Sequence, residues 1–308
     1  MKKRIKKGRA SYLPLHLMLL VPVILTIIYK YGPMLGLVMA FEDYIPSKKG
    51  FFYSLFKSST WVGLDWFEYI FKMPDFSLIV RNTLVIALGK LIAKIVFPLI
   101  FALLLNEIVH TKFKRLVQSV TFIPYFLSWV ILGSILLQIF SPRTGVINQI
   151  LGVFGIHNFY LFGTPEIFQP ALIATDLWKE IGYNTIIFLA ALTSIDPGLY
   201  EAAAIDGAGR FKQVIHISIP SVMGMVLLLT ILGVGSIMSA GFDQVYMLYS
   251  PAVYSTGDII DTYSFRMGIQ GGQYSLAAAV GLFKSVVSFV LMLFANLLTA
   301  KVGKRSIL

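Results

Sequence analysis

Six long apolar runs, separated by short polar gaps, make up most of this chain. They cover about residues 12–40, 77–105, 116–140, 169–193, 222–249 and 275–299. Each holds roughly 20 or more mostly apolar residues, enough for a helix to cross a hydrocarbon core of about 30 Å. Polar and apolar positions do not alternate within the runs, which excludes a closed β-barrel. The pattern predicts an all-α fold, a polytopic membrane helical bundle of six transmembrane helices. One membrane domain is expected over 12–299, between a basic N-terminus at 1–11 and a tail at 300–308. The first two runs exceed the minimum length, so they predict tilt or extension beyond the bilayer.

Composition supports the same class. The chain is 57% hydrophobic, with a mean hydropathy of +0.78. The net charge of +11 would point a soluble protein toward nucleic acid. Here the basic residues cluster at the ends of the apolar runs, where they set orientation, so no nucleic-acid partner is expected. One side collects Lys2, Lys3, Arg4, Lys6, Lys7, Arg9, Lys112, Lys114, Arg115, Arg210, Lys212, Lys301, Lys304 and Arg305. The other holds Lys48, Lys49, Lys57, Lys72, Arg143 and Arg266. The excess predicts a multi-pass protein of the cell membrane with both termini and the 194–221 loop in the cytoplasm. An even number of helices requires the same arrangement of termini. The basic KKRIKKGR start resembles a signal peptide, but no small-residue cleavage site follows, so an uncleaved first helix is expected. With no Cys, disulfides and thiolate metal sites are excluded.

The 41–76 loop carries Trp61, Trp66, Phe67, Tyr69 and Phe71. That density suits a helix lying in the membrane interface. It serves either as an anchor or as a surface that receives an external partner, and the residues leave both open. The 141–168 and 250–274 loops contain Pro, Gly and Asn and read as ordered turns.

The gap at 194–221 is unlike the others. Asp196-Pro197 is a helix start, with Asp capping free N–H groups and Pro at the first helical position. A helix from Pro197 to about Ala208 would be roughly 18 Å long, too short to span. Gly207 and Gly209 are candidates for its end. Leu199, Ala202, Ala203 and Asp206 share one face at i, i+3, i+4 and i+7, and Glu201 flanks it. Alanines let another surface approach closely. Spacing alone leaves two readings: a helix docking on a partner, or a connector resting on its own bundle. Phe211, Ile215 and Ile219 lead to Pro220, the expected entry to the fifth membrane helix.

The stretch EAAAIDGA at 201–208, followed by Phe211 and ISIP at 217–220, resembles the cytoplasmic signature of permease subunits of binding-protein-dependent ABC importers. Ile219 stands where Leu is usual before Pro220. ALLLNEI (102–108), SPRTGVINQIL (141–151), IDPGLYEAAAIDGA (195–208) and VGLFKSVV (280–287) resemble the carbohydrate-uptake branch of that family. Within that branch the chain is most similar to the lipoprotein/oligosaccharide permease group of Gram-positive bacteria. WVGLDWF (61–67) fits too, with Trp66 where that group usually has Asn. The resemblance implies a type I ABC importer permease fold whose cytoplasmic coupling helix seats in a cleft of an ATPase. Glu201 would bond the ATPase surface, Ala202 and Ala203 would pack in the cleft, and Gly207 would allow the turn. Asp206, Ala208, Phe211, Ile219 and Pro220 complete the signature. The chain has no G-x-x-x-x-G-K-[ST] phosphate loop. It is therefore expected to be non-catalytic and to carry no cofactor, with ATP and Mg on the partner ATPase. The implied partners are a second permease of different sequence, two cytoplasmic ATPase subunits, and an extracellular solute-binding protein of lipoprotein type. The implied substrate is an oligosaccharide released from polysaccharide, imported by alternating access.

Charges within or near the runs need explaining, because each costs roughly 2.5–3.5 kcal/mol at mid-helix. Lys30 and Arg81 are expected to snorkel outward. Lys179 and Glu180, with Asp176 one turn earlier, are expected to pair locally. Lys90 and Lys94 lie at i, i+4 and repel, which calls for a polar or hydrated neighbourhood. Lys284 is the remaining intramembrane cation. Sugar recognition asks for aromatic rings, amides, carboxylates and small residues. Trp178, Tyr183 and Asn184 in the fourth run fit, as do Ser239, Asp243, Gln244 and Tyr246 in the fifth. Helix–helix hydrogen bonding explains the same residues equally well. His16, His110, His157 and His216 are scattered singly, so no metal site is expected. A self-sufficient secondary transporter or channel for a small polar solute is the alternative. It predicts internal repeats, and none is visible.

Overall fold

The computed structural model describes residues 12–303. The basic residues expected to orient the N-terminus at 1–11, and Lys304 and Arg305 of the tail, lie outside the described residues. The chain forms two compact units. Among the described residues, one comprises 12–71 together with Met267–Leu282, the other Lys72–Arg266 with 283–303.

The first unit contains α1 (Pro14–Phe41), 28 residues long. None of the residues in its most apolar window is buried, as suits a helix whose side chains meet lipid or another chain. Two short strands follow, β1 (Glu42–Asp43) and β2 (Thr60–Trp61), paired antiparallel with Glu42 opposite Trp61. The aromatic helix expected in the 41–76 loop is present as α2 (Asp65–Lys72). Its Trp66 Nε1 donates to the Glu42 carbonyl at 3.0 Å, and Phe41 stacks on Trp61 with centroids 5.7 Å apart. Ala40, Leu55, Ile70, Leu276, Ala279 and Val280 are among the buried apolar residues of this unit.

The second unit is organised around α3 (Phe76–Asn106) and α7 (Pro165–Thr193). Between them come α4 (Thr111–Phe122), α5 (Trp129–Ile139) and α6 (Val146–Val153). After α7 come α8 (Pro197–Ile205), α9 (Arg210–Gly235), α10 (Phe242–Leu248) and α11 (Ile260–Phe265). The last helix, α12 (Tyr274–Gly303), belongs to both units along its length. Ala102, Phe188, Leu192 and Val222 form a buried cluster shared by α3, α7 and α9. Gly182 brings α7 against the α4 backbone. A Cβ there would lie 2.4 Å from the Thr121 carbonyl oxygen, so the approach requires glycine.

Four described helices are long and apolar enough to cross a membrane, namely α1, α3, α9 and α12; with two bent pairs the number rises to as many as six. Three expected boundaries change. The run at 116–140 is not one helix, because α4 with the turn through Phe126 meets α5 at 101°. Pro124 sits in that turn, and Ser128 restarts the helix by accepting from the Ile131 N–H at 3.3 Å. The run at 222–249 is also broken. Helix α9 ends at Gly235, and α10 begins after Gly241, whose φ of +92° is a conformation for glycine. Pro220 does stand in the first turn of the regular α-helical stretch Ile219–Gly235, as expected of the entry to the fifth membrane helix, but the helical backbone of α9 begins earlier, at Arg210. A widened turn over Val214–Ser218 accommodates the ring.

Candidate functional site

The signature loop folds as α8 and the start of α9. The Asp196 carboxylate caps α8 by accepting from the Gly198 N–H at 2.9 Å. The helix ends at Ile205, three residues before the expected Ala208, because Gly207 turns the chain at φ +78°. Helix α8 buries no residue. Glu201, Ala202, Asp206 and Gly207 are exposed, while Ala203 and Ala208 are half-buried. Exposed apolar side chains surround them: Leu199 at 51%, Ile205 at 87% and Phe211 at 78%. Ile205 lies outside the residues expected from the signature. Its exposure depends on where the helix rests, which spacing does not show.

The far side of the loop is tied down. Tyr200 Oη and Ser218 Oγ are 2.9 Å apart, and Gln213 Nε2 donates to the Ala208 carbonyl at 3.1 Å. Arg210 pairs with Glu107 at 2.5 Å, across to the end of α3. Ile219 is half-buried, and Pro220 lies exposed within α9. The arrangement is a short, capped, outward helix with an apolar face and one carboxylate, braced from behind. It suits a surface that another protein grips.

The residues expected along a substrate path divide into separate places. Ser239 lies in the unwound segment 236–241, on the wall of a cavity of about 160 Å³. Gln244 is buried beside it and accepts from the Lys90 ammonium. Its amide donates at 2.8 Å to the Leu172 carbonyl and to Thr175 Oγ1. Asp243 is exposed. Tyr246 stacks on Phe242 at 5.3 Å, within an aromatic group. Tyr183 stacks on Tyr125 at 4.5 Å. Asn184 donates to the Glu180 carbonyl at 3.2 Å, one helical turn back. Trp178 lines a separate apolar cavity with Leu136, Ile139 and Phe159. Ser239 thus lines this cavity and Gln244 supports it through Lys90, while Trp178, Tyr183 and Asn184 do not join them there.

That site also contains charged side chains. Lys90 and Lys94 on α3, and Asp176 on α7, line the cavity with Ser236, Ser239 and Gly241. Lys90 Nζ donates to the Ala240 carbonyl at 2.6 Å, so it holds the break between α9 and α10. Lys94 Nζ lies 2.9 Å from Asp176 Oδ2. The expected local grouping of Asp176 with Lys179 is replaced by this pair across two helices. Lys179 donates instead to the Tyr125 carbonyl at 2.8 Å and lies 3.8 Å from Glu180. Lys284 pairs with Asp261 at 2.5 Å. The i, i+4 lysines were the signal in the sequence: two like charges on one apolar helix need a polar hollow to face.

Comparison with known proteins places this geometry. Residues 94–304 match the family model described as binding-protein-dependent transport system inner membrane component. The chain is similar to Protein LplB of Bacillus subtilis, 42% identical across 93% of this chain and 88% of that protein. It is 40% identical to the polygalacturonan/rhamnogalacturonan transport system permease protein YteP of Bacillus subtilis, across 95% of this chain and 89% of that one. Its fold is similar to a chain in the crystal structure of a bacterial alginate ABC transporter in complex with alginate pentasaccharide-bound periplasmic protein. The TM-score is 0.87 at 34% identity, covering 99% of this chain and 100% of that one.

Proposed function

The chain belongs to the binding-protein-dependent transport system inner membrane components, and from that premise we propose that it forms half of the pore of an ATP-driven oligosaccharide importer. Membership makes it a multi-pass, non-catalytic permease subunit. The sugar class is our reading, supported by relatives named for polygalacturonan, rhamnogalacturonan and alginate transport. The single observation that carries the energy-coupling part is α8. This helix is capped by Asp196, buries nothing, and presents Glu201 among exposed Leu199, Ala202, Ile205 and Phe211.

In this reading a second permease of different sequence completes the pore, and two cytoplasmic ATPase subunits bind ATP and Mg. Helix α8 seats in a cleft of one ATPase. Ala202 and Ala203 allow close approach, and Glu201 accepts hydrogen bonds at the rim. Asp206, Gly207 and Ala208 shape the exit, and Phe211 adds an apolar contact. Ile219 and Pro220 lie in α9, which runs unbroken from the loop into the membrane domain, so displacement of the loop moves a spanning helix as a lever. ATP-driven closure of the ATPases then opens the pore outward to an extracellular binding protein of lipoprotein type. Hydrolysis resets it. Both termini and α8 face the cytoplasm.

Co-purification with the ATPase, together with sugar uptake by the complete importer, tests this. Glu201→Lys reverses the charge on an exposed surface, so the chain is expected to insert and fold while ATPase association and uptake fall by at least about ten-fold. Retained association and uptake would remove α8 as the coupling element. Uptake that persists without any ATPase would favour the self-sufficient transporter.

A further inference from the structure

The cavity between α3, α7 and the unwound segment 236–241 carries more positive than negative charge. Its wall holds two ammonium groups, Lys90 and Lys94, and one carboxylate, Asp176. Lys90 is committed, because its ammonium is bonded to the Ala240 carbonyl and to Gln244 Oε1. A Cβ on Gly241 would come within 2.8 Å of the same nitrogen, so backbone closes over it. Lys94 differs. Its side chain is 33% exposed, against 7% for that of Asp176. The 2.9 Å approach to Asp176 Oδ2 is Coulombic and lacks hydrogen-bond direction, so this buried oxygen has no hydrogen-bond partner. A buried acceptor left open, beside a cation with donors to spare, is costly unless something completes both.

We propose that Lys94 and Asp176 form a reading position for an acidic sugar, in which Lys94 takes the ring carboxylate and Asp176 Oδ2 accepts a neighbouring hydroxyl. A uronic acid residue has both groups on one ring, and a neutral sugar supplies only the hydroxyl. Ser236 and Ser239 line the same wall and can meet further hydroxyls. Charge-assisted bonds are about twice as strong as neutral ones, so the lysine discriminates between charged and uncharged rings. Lys90 acts as a positioning residue that holds the segment carrying Ser239. This inference rests on the oligosaccharide reading above and narrows it to carboxylate-bearing substrates.

The test uses the complete importer, with both permeases, the ATPases and the binding protein, reconstituted in proteoliposomes. Uptake is measured for trigalacturonate and for its carboxyl-reduced trisaccharide, which keeps the linkages and lacks the charges. Lys94→Gln is expected to raise KM for trigalacturonate about ten-fold while shifting the reduced sugar less than about two-fold. Lys94→Arg is expected to restore the acidic sugar, because the charge returns. Equal loss for both sugars, or no change for trigalacturonate, overturns the inference. Wild-type import of a neutral oligosaccharide without trigalacturonate overturns it too, and leaves the oligosaccharide reading standing. Failure of the wild type to import any sugar overturns both.

Discussion

At the scale of single residues, backbone approach sets the strictest demands. Gly182 is the clearest case, because the Thr121 carbonyl occupies the space a Cβ would need. Neither α7 nor the α4 backbone can give way cheaply. Gly182→Val is expected to lower stability by about 3 kcal/mol, read as a drop in the thermal midpoint of the purified permease. A midpoint unchanged from wild type would mean that α4 and α7 do not touch there. The polar residues divide differently from their appearance in the sequence. Ser239 lines the charged cavity and Gln244 is buried against its Lys90, whereas Tyr183 is spent on stacking with Tyr125. Both groups look alike as letters. Which helix face points inward separates them, and a run that is apolar all round does not reveal its inward face.

At the scale of elements, breaks matter more than lengths. The apolar runs were long enough to read as spans, yet two contain sharp interruptions at Pro124 and at Gly241. Hydropathy averages over about 19 residues and passes over a turn of four to six. Helix α8 was legible because its signals are local: an Asp cap, a Pro at the first position and a glycine at the exit. Its isolation makes the cap important. At nine residues it is too short to be stable by itself. Asp196→Ala is expected to cost about 1 kcal/mol, and to speed amide exchange across 197–205 about five-fold. Unchanged exchange would show that the helix is held by Tyr200 and Gln213 instead.

At the scale of the whole molecule, orientation is the property on which the mechanism depends. Because the chain contains no Cys, single cysteines report it directly. Leu64→Cys, 66% exposed, is expected to react with an impermeant maleimide on intact cells. Ile205→Cys, at an 87% exposed position, is expected to react only after permeabilisation. The opposite pattern would invert the charge-based topology and remove α8 from the cytoplasm.

Several properties followed from the sequence alone, because they depend on composition, length and local motifs. These are the membrane class, the helical fold, the number of long apolar runs and the signature loop at 201–220. None of them requires knowing what packs against what. The tertiary structure decided where α3 meets α7, and so that Lys94 faces Asp176 and Lys90 reaches Ala240 across 150 positions of sequence. It also decided that α9 runs continuously from Arg210 through Pro220 to Gly235, joining the signature loop to a helix long and apolar enough to span. Contacts between distant segments are set by the mutual packing of apolar faces, and in a chain apolar on every side only the assembled helices show which faces those are.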